Sequence, residues 1–436
     1  MVKKRHKQKV VKRKGVLPEP VELGRYNDKL IPKKLEQKAS LRAEEKDGIR
    51  KRLHIALFSW ESLYSIIVGN MSLWVSELAY ALQQRGHEVH LFTRRSEDQS
   101  HDEQIDGVYY HPCHYDPGSD LVGEMLSMCR SFVSRFFEVQ DSRGLFDIIH
   151  GHDWLTANAI SWIKRSQGIK TIITIYSTEY QRCGNEFREG ESQRIREYEG
   201  HGIHLADQVI TVSQGLKQEL AWLYDVPDWK VSVIYNGIHP NRLKGLFNSG
   251  EVKAHYGVGI LDPTALFVGE MAPQYGPDII IYALPTILSK YPTAKFIFIG
   301  EGEFRKHIQN EAHRLGVAHA TRFLAHVERE ELVNIFKSCD AVVVPSRNEL
   351  SYGIILEAWN SGKPVIATHN GPSEFIWHEV TGLKIHSNPS SLAWGIERIF
   401  SNHEFGRWMG RNGRIAVETG FSWDMVANQV EKVYLC

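Results

Sequence analysis

The residues with chemistry to offer fall in a few short stretches. GHDWLTA (Gly151 to Ala157) brings His152, and YSTEYQRCGNEF (Tyr176 to Phe187) brings Tyr176 and Arg182. YNGI follows at Tyr235, GEGE opens at Gly300, and SRNELSYGIILEAWNSGKPVIAT (Ser346 to Thr368) holds Arg347, Glu349, Tyr352, Gly353 and Glu357. An imidazole, paired carboxylates and flanking guanidinium groups can together grip a polar ligand. Seven residues separate Glu349 from Glu357, about two turns if the segment were all helix. A loop running into a first helical turn is the better reading, with Glu357 complementing the helix dipole. Simpler roles compete for each group. His152 can satisfy a strand end or cap a helix, and Arg182, Arg188, Arg347 and Lys363 can be surface ion-pair partners.

Short apolar runs alternating with helical periodicity must position these stretches. LHIALF (Leu53 to Phe58) reads as a buried strand, and Met71 to Arg85 places Val75, Leu78, Ala79 and Leu82 on one helical face, with Gly86 as the stop. HLFT, DIIHG, KTIITIYS, QVITVS and KVSVIYNG continue the first series; TALFVG, KFIFIGEG, RFLAHV, AVVVPSR and PVIAT form a second. The apolar residues come in runs and do not alternate, which predicts parallel sheets covered on both faces. Two doubly wound α/β domains follow, over residues 53–240 and 241–420, with a joint near HPNRLKGLFNSG. Ligands of such sheets bind at the carboxyl ends of the strands, so the quoted stretches face one interdomain cleft.

A chain of 436 residues, 42% hydrophobic and 24% charged, can bury two such cores. Every apolar stretch is too broken to span a bilayer, and no apolar segment follows the basic start as a signal peptide requires. The cysteines at 113, 129, 183, 339 and 436 have no paired spacing, so neither a zinc site nor a disulfide framework is indicated, and a cytoplasmic protein is expected. Net charge is zero, yet MVKKRHKQKVVKRKG is strongly basic, so the remainder is acidic. Residues 1–52 read as an extended basic arm, able to meet an acidic protein surface or the periphery of a membrane or larger assembly. A solvated tail is the plainer alternative. No aromatic residues interleave with its charges as in a stacking nucleic-acid site.

From Leu53 onward the chain resembles the family-4 (group 1) retaining glycosyltransferases, the glycogen-synthase-like enzymes of GT-B fold. The HDW, VSQ, NGI, VG-x-M-x-x-x-x-G-P-D and two-glutamate segments occur in the family's order. The resemblance implies an amino-terminal acceptor domain, a carboxyl-terminal domain for a nucleotide-diphospho-sugar, and a final helix, residues 421–436, crossing back to the first domain. It implies no required metal or other cofactor. It makes His152 a contact of the donor sugar, Glu349 the acid at the transfer site and Glu357 the ribose-binding acid, with Gly269, Gly300, Gly353 and Arg347 around the donor.

Departures from the family pattern cluster at the leaving group. A departing diphosphate needs fixed cations or backbone N–H groups. The family supplies an Arg and a Lys where this chain has Glu270 and Tyr275. Asn70 replaces the second glycine of a Gly-Gly pair, Tyr176 the His of H-S-T-E-Y, and Tyr352 a glycine between the two glutamates, with Gly353 one residue on. Arg347 and Arg182 are the cations to inspect as substitutes, or as ion-pair partners of Glu270. Transferase activity is therefore expected to be weak or lost, leaving a scaffold, regulatory or glycan-recognising role. The alternatives are an active retaining enzyme moving a hexose from a nucleotide-diphospho-sugar to a glycan or small acceptor, and, further off, a nucleotide-sugar epimerase.

Overall fold

The computed structural model of the chain describes residues 52–96, 99, 101–118, 120–239, 248–347, 352–369 and 373–436. The basic arm up to residue 51, and Glu349, lie outside them.

The apolar runs build two sheets. In the first, His54–Ser59 (β1), Glu88–Arg94 (β2), Glu103–Ile105 (β3), Val108–Cys113 (β4), Ile148–His152 (β5), Lys170–Ile175 (β6), Gln208–Thr211 (β7) and Val231–Val233 (β8) take the order β3-β4-β2-β1-β5-β6-β7-β8. In the second, Thr264–Val268 (β9), Lys295–Ile299 (β10), Thr321–Leu324 (β11), Ala341–Val344 (β12), Val365–Thr368 (β13) and Gly382–Ile385 (β14) take the order β11-β10-β9-β12-β13-β14. Strands β1 and β2 are almost wholly buried, as continuous apolar runs require when helices cover both faces. Phe58, Phe92, Phe132 and Phe136 fill one such layer, Phe58 stacking on Phe92 at 5.0 Å.

One pairing departs from the all-parallel expectation: β3 runs antiparallel to β4. The turn between them is Asp106-Gly107, with φ of 51° and 84°, the left-handed pair of a two-residue hairpin that Asp-Gly favours. Strand β14 also extends the second series beyond PVIAT.

Strand order reverses direction between β1 and β5 in the first sheet and between β9 and β12 in the second. Such switch points open a crevice at the strands' carboxyl ends, so His152 at the end of β5 and Gly269 just after β9 occupy the places where a ligand would enter.

The periodicity over Met71 to Arg85 becomes the helix Asn70–Gln84, with Val75, Leu78, Ala79 and Leu82 all buried. The last helix, Trp423–Leu435, packs on it, burying Trp423, Val426, Ala427, Val430 and Tyr434 in the core of the first sheet. Arg85 fixes the contact. Its guanidinium reaches Asp424 at 2.8 Å, Asn428 at 2.7 Å and Glu431 at 2.6 Å, while His87 meets the other Glu431 oxygen at 2.9 Å. Among the described residues no helix is long and apolar enough to cross a membrane.

Removing one partner of a buried ion pair leaves the other uncompensated. Arg85→Ala should therefore lower unfolding stability by about 3–5 kcal/mol in chemical denaturation. A loss below about 1 kcal/mol would mean the last helix docks through its apolar face alone.

Candidate functional site

On the wall formed by the first sheet, His150 and His152 stand on the same face of β5, rings stacked at 4.4 Å. His150 is held between Tyr434 Oη of the last helix and Thr174 Oγ1, each at 2.7 Å. His152 Nδ1 shares a hydrogen bond of 2.9 Å with Tyr176 Oη, so the tyrosine at the family's histidine position orients this ring. His152 Nε2 is buried with no hydrogen-bond partner among the described residues. Burial pushes its pKa down to about 3, so the ring stays neutral near pH 7. Asp153 follows at φ 65°, ψ 169°, a region nearly reserved for glycine that costs about 1–3 kcal/mol. This strained residue directly follows His152, whose Nε2 lacks a partner among the described residues.

Arg182 lies on the same side but is committed elsewhere. Thr178 caps the single helical turn Glu179–Arg182, which aims the guanidinium back at its own segment. Nε donates to Glu179 at 2.9 Å, Nη1 to the Ser177 carbonyl at 3.0 Å and Nη2 to Glu199 at 3.0 Å. Glu199 is fully buried and also accepts from Tyr224 Oη. Burial raises the Glu199 carboxyl to about 7, against the opposing pull of Arg182.

Glycines bring the second sheet's loops together. A Cβ on Gly300 would stand 2.0 Å from the Gly269 carbonyl, and one on Gly276 (φ 68°) 2.2 Å from the Pro345 carbonyl. Between them runs Glu270 to Tyr275. Glu270 is exposed and makes no salt bridge among the described residues. Tyr275 is half-buried, its hydroxyl pKa raised by burial and then by Glu270. Arg347 instead forks onto Asp278, at 3.0 and 2.7 Å, and donates to the Pro273 carbonyl. The expected pairing of Glu270 with Arg347 or Arg182 is thus not formed. Asp278, at the start of the helix Pro277–Lys290, holds Arg347 through both carboxylate oxygens in its place.

Tyr352 closes the space between the walls. It opens the helix Tyr352–Asn360, is only 7% exposed, and its Oη accepts from Asn236 at 2.5 Å. Trp74 lies between it and Tyr176, ring centroids at 6.5 and 5.2 Å, and Phe375 meets its edge at 6.3 Å. Gly353 is the second residue of that helix, with open space at its Cβ. Glu357 falls in the second turn of that helix, not the first, because the helix starts at Tyr352; Arg329 lies 3.6 Å from its carboxylate.

The loop after β1 contains a feature that spacing does not reveal. The buried Glu61 carboxylate accepts from the backbone N–H of Gly69, at 2.7 Å, and from that of Val68. Asn70 then begins the helix Asn70–Gln84. An internal anion thus takes the amide of Gly69, the first residue of the pair, together with that of Val68. Arg94, stacked on Trp60 at 4.3 Å and bonded to its carbonyl at 2.7 Å, keeps a buried Nη2 without a partner among the described residues. His150, Trp74, Asn236, Glu61 and Arg94 were not among the residues singled out from sequence. Asn236 lies within the quoted NGI segment and Trp74 within the predicted helix, yet their partners are set by packing, which spacing does not reveal.

The chain matches the family described as Glycosyltransferase Family 4 over residues 71–242 and that described as Glycosyl transferases group 1 over residues 259–416. An uncharacterized glycosyltransferase of Methanocaldococcus jannaschii is 33% identical over 389 residues, covering 88% of this chain and 98% of that one. Glycogen synthase of Mycobacterium tuberculosis is 25% identical over 400 residues, covering 88% and 94%. Among solved structures, the Anabaena protein HepE in complex with UDP and glucose superposes with a TM-score of 0.70 at 18% identity, covering 88% and 99%. Sucrose-phosphate synthase of Thermosynechococcus elongatus gives 0.68 at 22%, covering 88% and 98%. At these identities the structural matches speak for the two-sheet fold.

Glu199 carries a pH signature. Its folded pKa of about 7 lies above the ordinary 4.5, so its contribution to stability is complete below the lower value and is lost as pH rises through the higher. Between these limits the wild type should lose about 3 kcal/mol relative to Glu199→Gln in denaturant melts. Parallel pH profiles for the two proteins would show that Arg182 keeps the carboxylate ionised throughout.

Proposed function

Because this chain belongs to the group 1 glycosyltransferases, we propose that it keeps their two-sheet cleft while its transfer of sugar from a nucleotide diphosphate is weak or lost. It then works by binding, as a scaffold, regulatory or glycan-recognising partner, with the basic arm of residues 1–52 as a tether to an acidic surface. The observation that carries this reading is the charge at the donor loop. Glu270 is exposed there without an ion pair among the described residues, while Arg347 and Arg182 are held by carboxylates.

A diphosphate leaving group gains negative charge as the glycosidic bond breaks, and fixed cations must already face it. Freeing Arg347 would break two charge-assisted bonds to Asp278, each worth roughly 1.5–3 kcal/mol. Glu270 adds like-charge repulsion that Tyr275, a neutral hydroxyl, cannot offset. Tyr352 narrows the same space from the other side.

One observation favours an active hexosyltransferase instead. His152 presents a neutral, buried Nε2 without a partner among the described residues, poised to meet a sugar hydroxyl. On that reading the donor is a nucleotide-diphospho-sugar, and UDP-glucose is the first to try, since a protein of the same fold has been solved with UDP and glucose.

Calorimetry of UDP, UDP-glucose and a wider nucleotide-sugar panel separates the two. The wild type should show no binding, and the Glu270→Arg/Tyr275→Lys double variant should gain roughly a hundredfold or more in affinity. Micromolar binding by the wild type, followed by turnover in a hydrolysis assay, would overturn the proposal in favour of the active enzyme.

A further inference from the structure

At the opposite end of the first sheet from the cleft, the strands begin with a polar cluster that sugar transfer does not use. His54 opens β1 and Glu88 opens β2; the parallel register sets them side by side, and His90 lies two residues on, on the same face. Glu88 Oε1 is 3.5 Å from His90 Nε2 and 4.0 Å from His54 Nε2. One nitrogen or oxygen atom from each of the three lies within 4.8 Å of the others.

Hydrogen bonds behind these atoms determine which of them carry protons. His54 Nδ1 is 3.0 Å from the Leu145 carbonyl, which can only accept, so the proton is on Nδ1 and Nε2 bears a lone pair. His111 Nδ1 is 2.8 Å from Asp102, whose carboxylate also accepts from Arg135 at 2.7 Å, so His111 Nδ1 is the donor. With a neutral His111 its Nε2 accepts from His90 Nδ1, 2.8 Å away, which leaves His90 Nε2 as a lone pair too. Both Nε2 atoms are buried without a hydrogen-bond partner among the described residues, and Arg52 meets the far oxygen of Glu88 at 2.7 Å. Three acceptors therefore converge on one point, an arrangement that a proton or a metal ion between them would relieve.

We propose that His54 Nε2, His90 Nε2 and Glu88 Oε1 bind a divalent transition-metal ion, zinc by the chemistry of the donor set. Imidazole and carboxylate suit zinc, whose bonds of about 2.0–2.2 Å hold tetrahedral ligands roughly 3.4 Å apart. The His90 to Glu88 separation already matches, and a small rotation brings His54 in. Metal-bound histidines usually donate their other N–H to a carbonyl or a carboxylate-backed group, and the Leu145 carbonyl and the His111–Asp102 relay supply both. Stacking of Phe146 on His54 at 4.0 Å and of Tyr109 on His90 at 4.7 Å keeps the rings from turning away. The ion would tie β1 to β2 beneath the aromatic layer of Phe58 and Phe92. Cysteine spacing gave no sign of such a site because its ligands come from two strands joined only by register.

The full-length chain, stripped with chelator, is titrated with Zn²⁺ by calorimetry and with Co²⁺ by visible absorption. A single ion per chain and a higher Tm in zinc are expected. Asp102→Asn, which touches no ligand atom, should weaken binding by roughly tenfold to a hundredfold. Glu88→Gln and His54→Gln should weaken it further, and exposed His326→Gln should change nothing. Substoichiometric uptake by the wild type, or an Asp102→Asn variant that binds as tightly as wild type, would overturn the proposal. Because Asp102→Asn decides by itself, the test survives misfolding of a ligand variant.

Discussion

A guanidinium already forked onto a carboxylate has little charge left for a phosphate, and this constraint organises the cleft. Arg347 is fixed by Asp278 and Arg182 by Glu179 and Glu199, so both guanidinium groups serve the protein's own loops. Even the backbone amides after β1 are turned inward, toward Glu61. Arg94 Nη2 and His152 Nε2, by contrast, stay without partners among the described residues. Glu270 is exposed and carries no salt bridge among the described residues.

Packing links these local choices. Tyr434 of the last helix holds His150, His150 stacks on His152, and His152 is bonded to Tyr176. Trp74 then bridges Tyr176 to Tyr352, which is tied to Asn236. A contiguous run of aromatic and imidazole rings thus connects the carboxyl-terminal helix to the middle of the cleft. Arg85 clamps the far side of that helix, so the position of His152 depends on a contact between residues nearly 350 apart in sequence.

Much of this architecture was legible in the residues alone. Runs such as LHIALF, TALFVG and PVIAT become buried parallel strands because continuous β-branched and aromatic residues have nowhere else to go when helices cover both faces. The Asp106-Gly107 hairpin carried a visible turn signal yet was outweighed by the parallel pattern around it. The site was legible by position and not by partner. Glu270, Tyr275 and Tyr352 could be placed on the family's motif, but the Arg347–Asp278 fork depends on how two loops approach, which Gly276 permits by its close contact with Pro345. The shift of Glu357 into the second helical turn likewise followed from where the helix began. His54, Glu88 and His90 become neighbours only through strand register.

Phosphorus-31 NMR tests the central proposal, that Arg347 and Arg182 stay with their carboxylates and are not offered to a diphosphate, because it observes the phosphates themselves. UDP resonances followed during addition of excess wild-type protein should keep their shifts and line widths, and should move only when Glu270 and Tyr275 are replaced by Arg and Lys. Shifted resonances with the wild-type chain, abolished by Arg347→Ala, would show that Arg347 leaves Asp278 for the phosphate and would contradict the account.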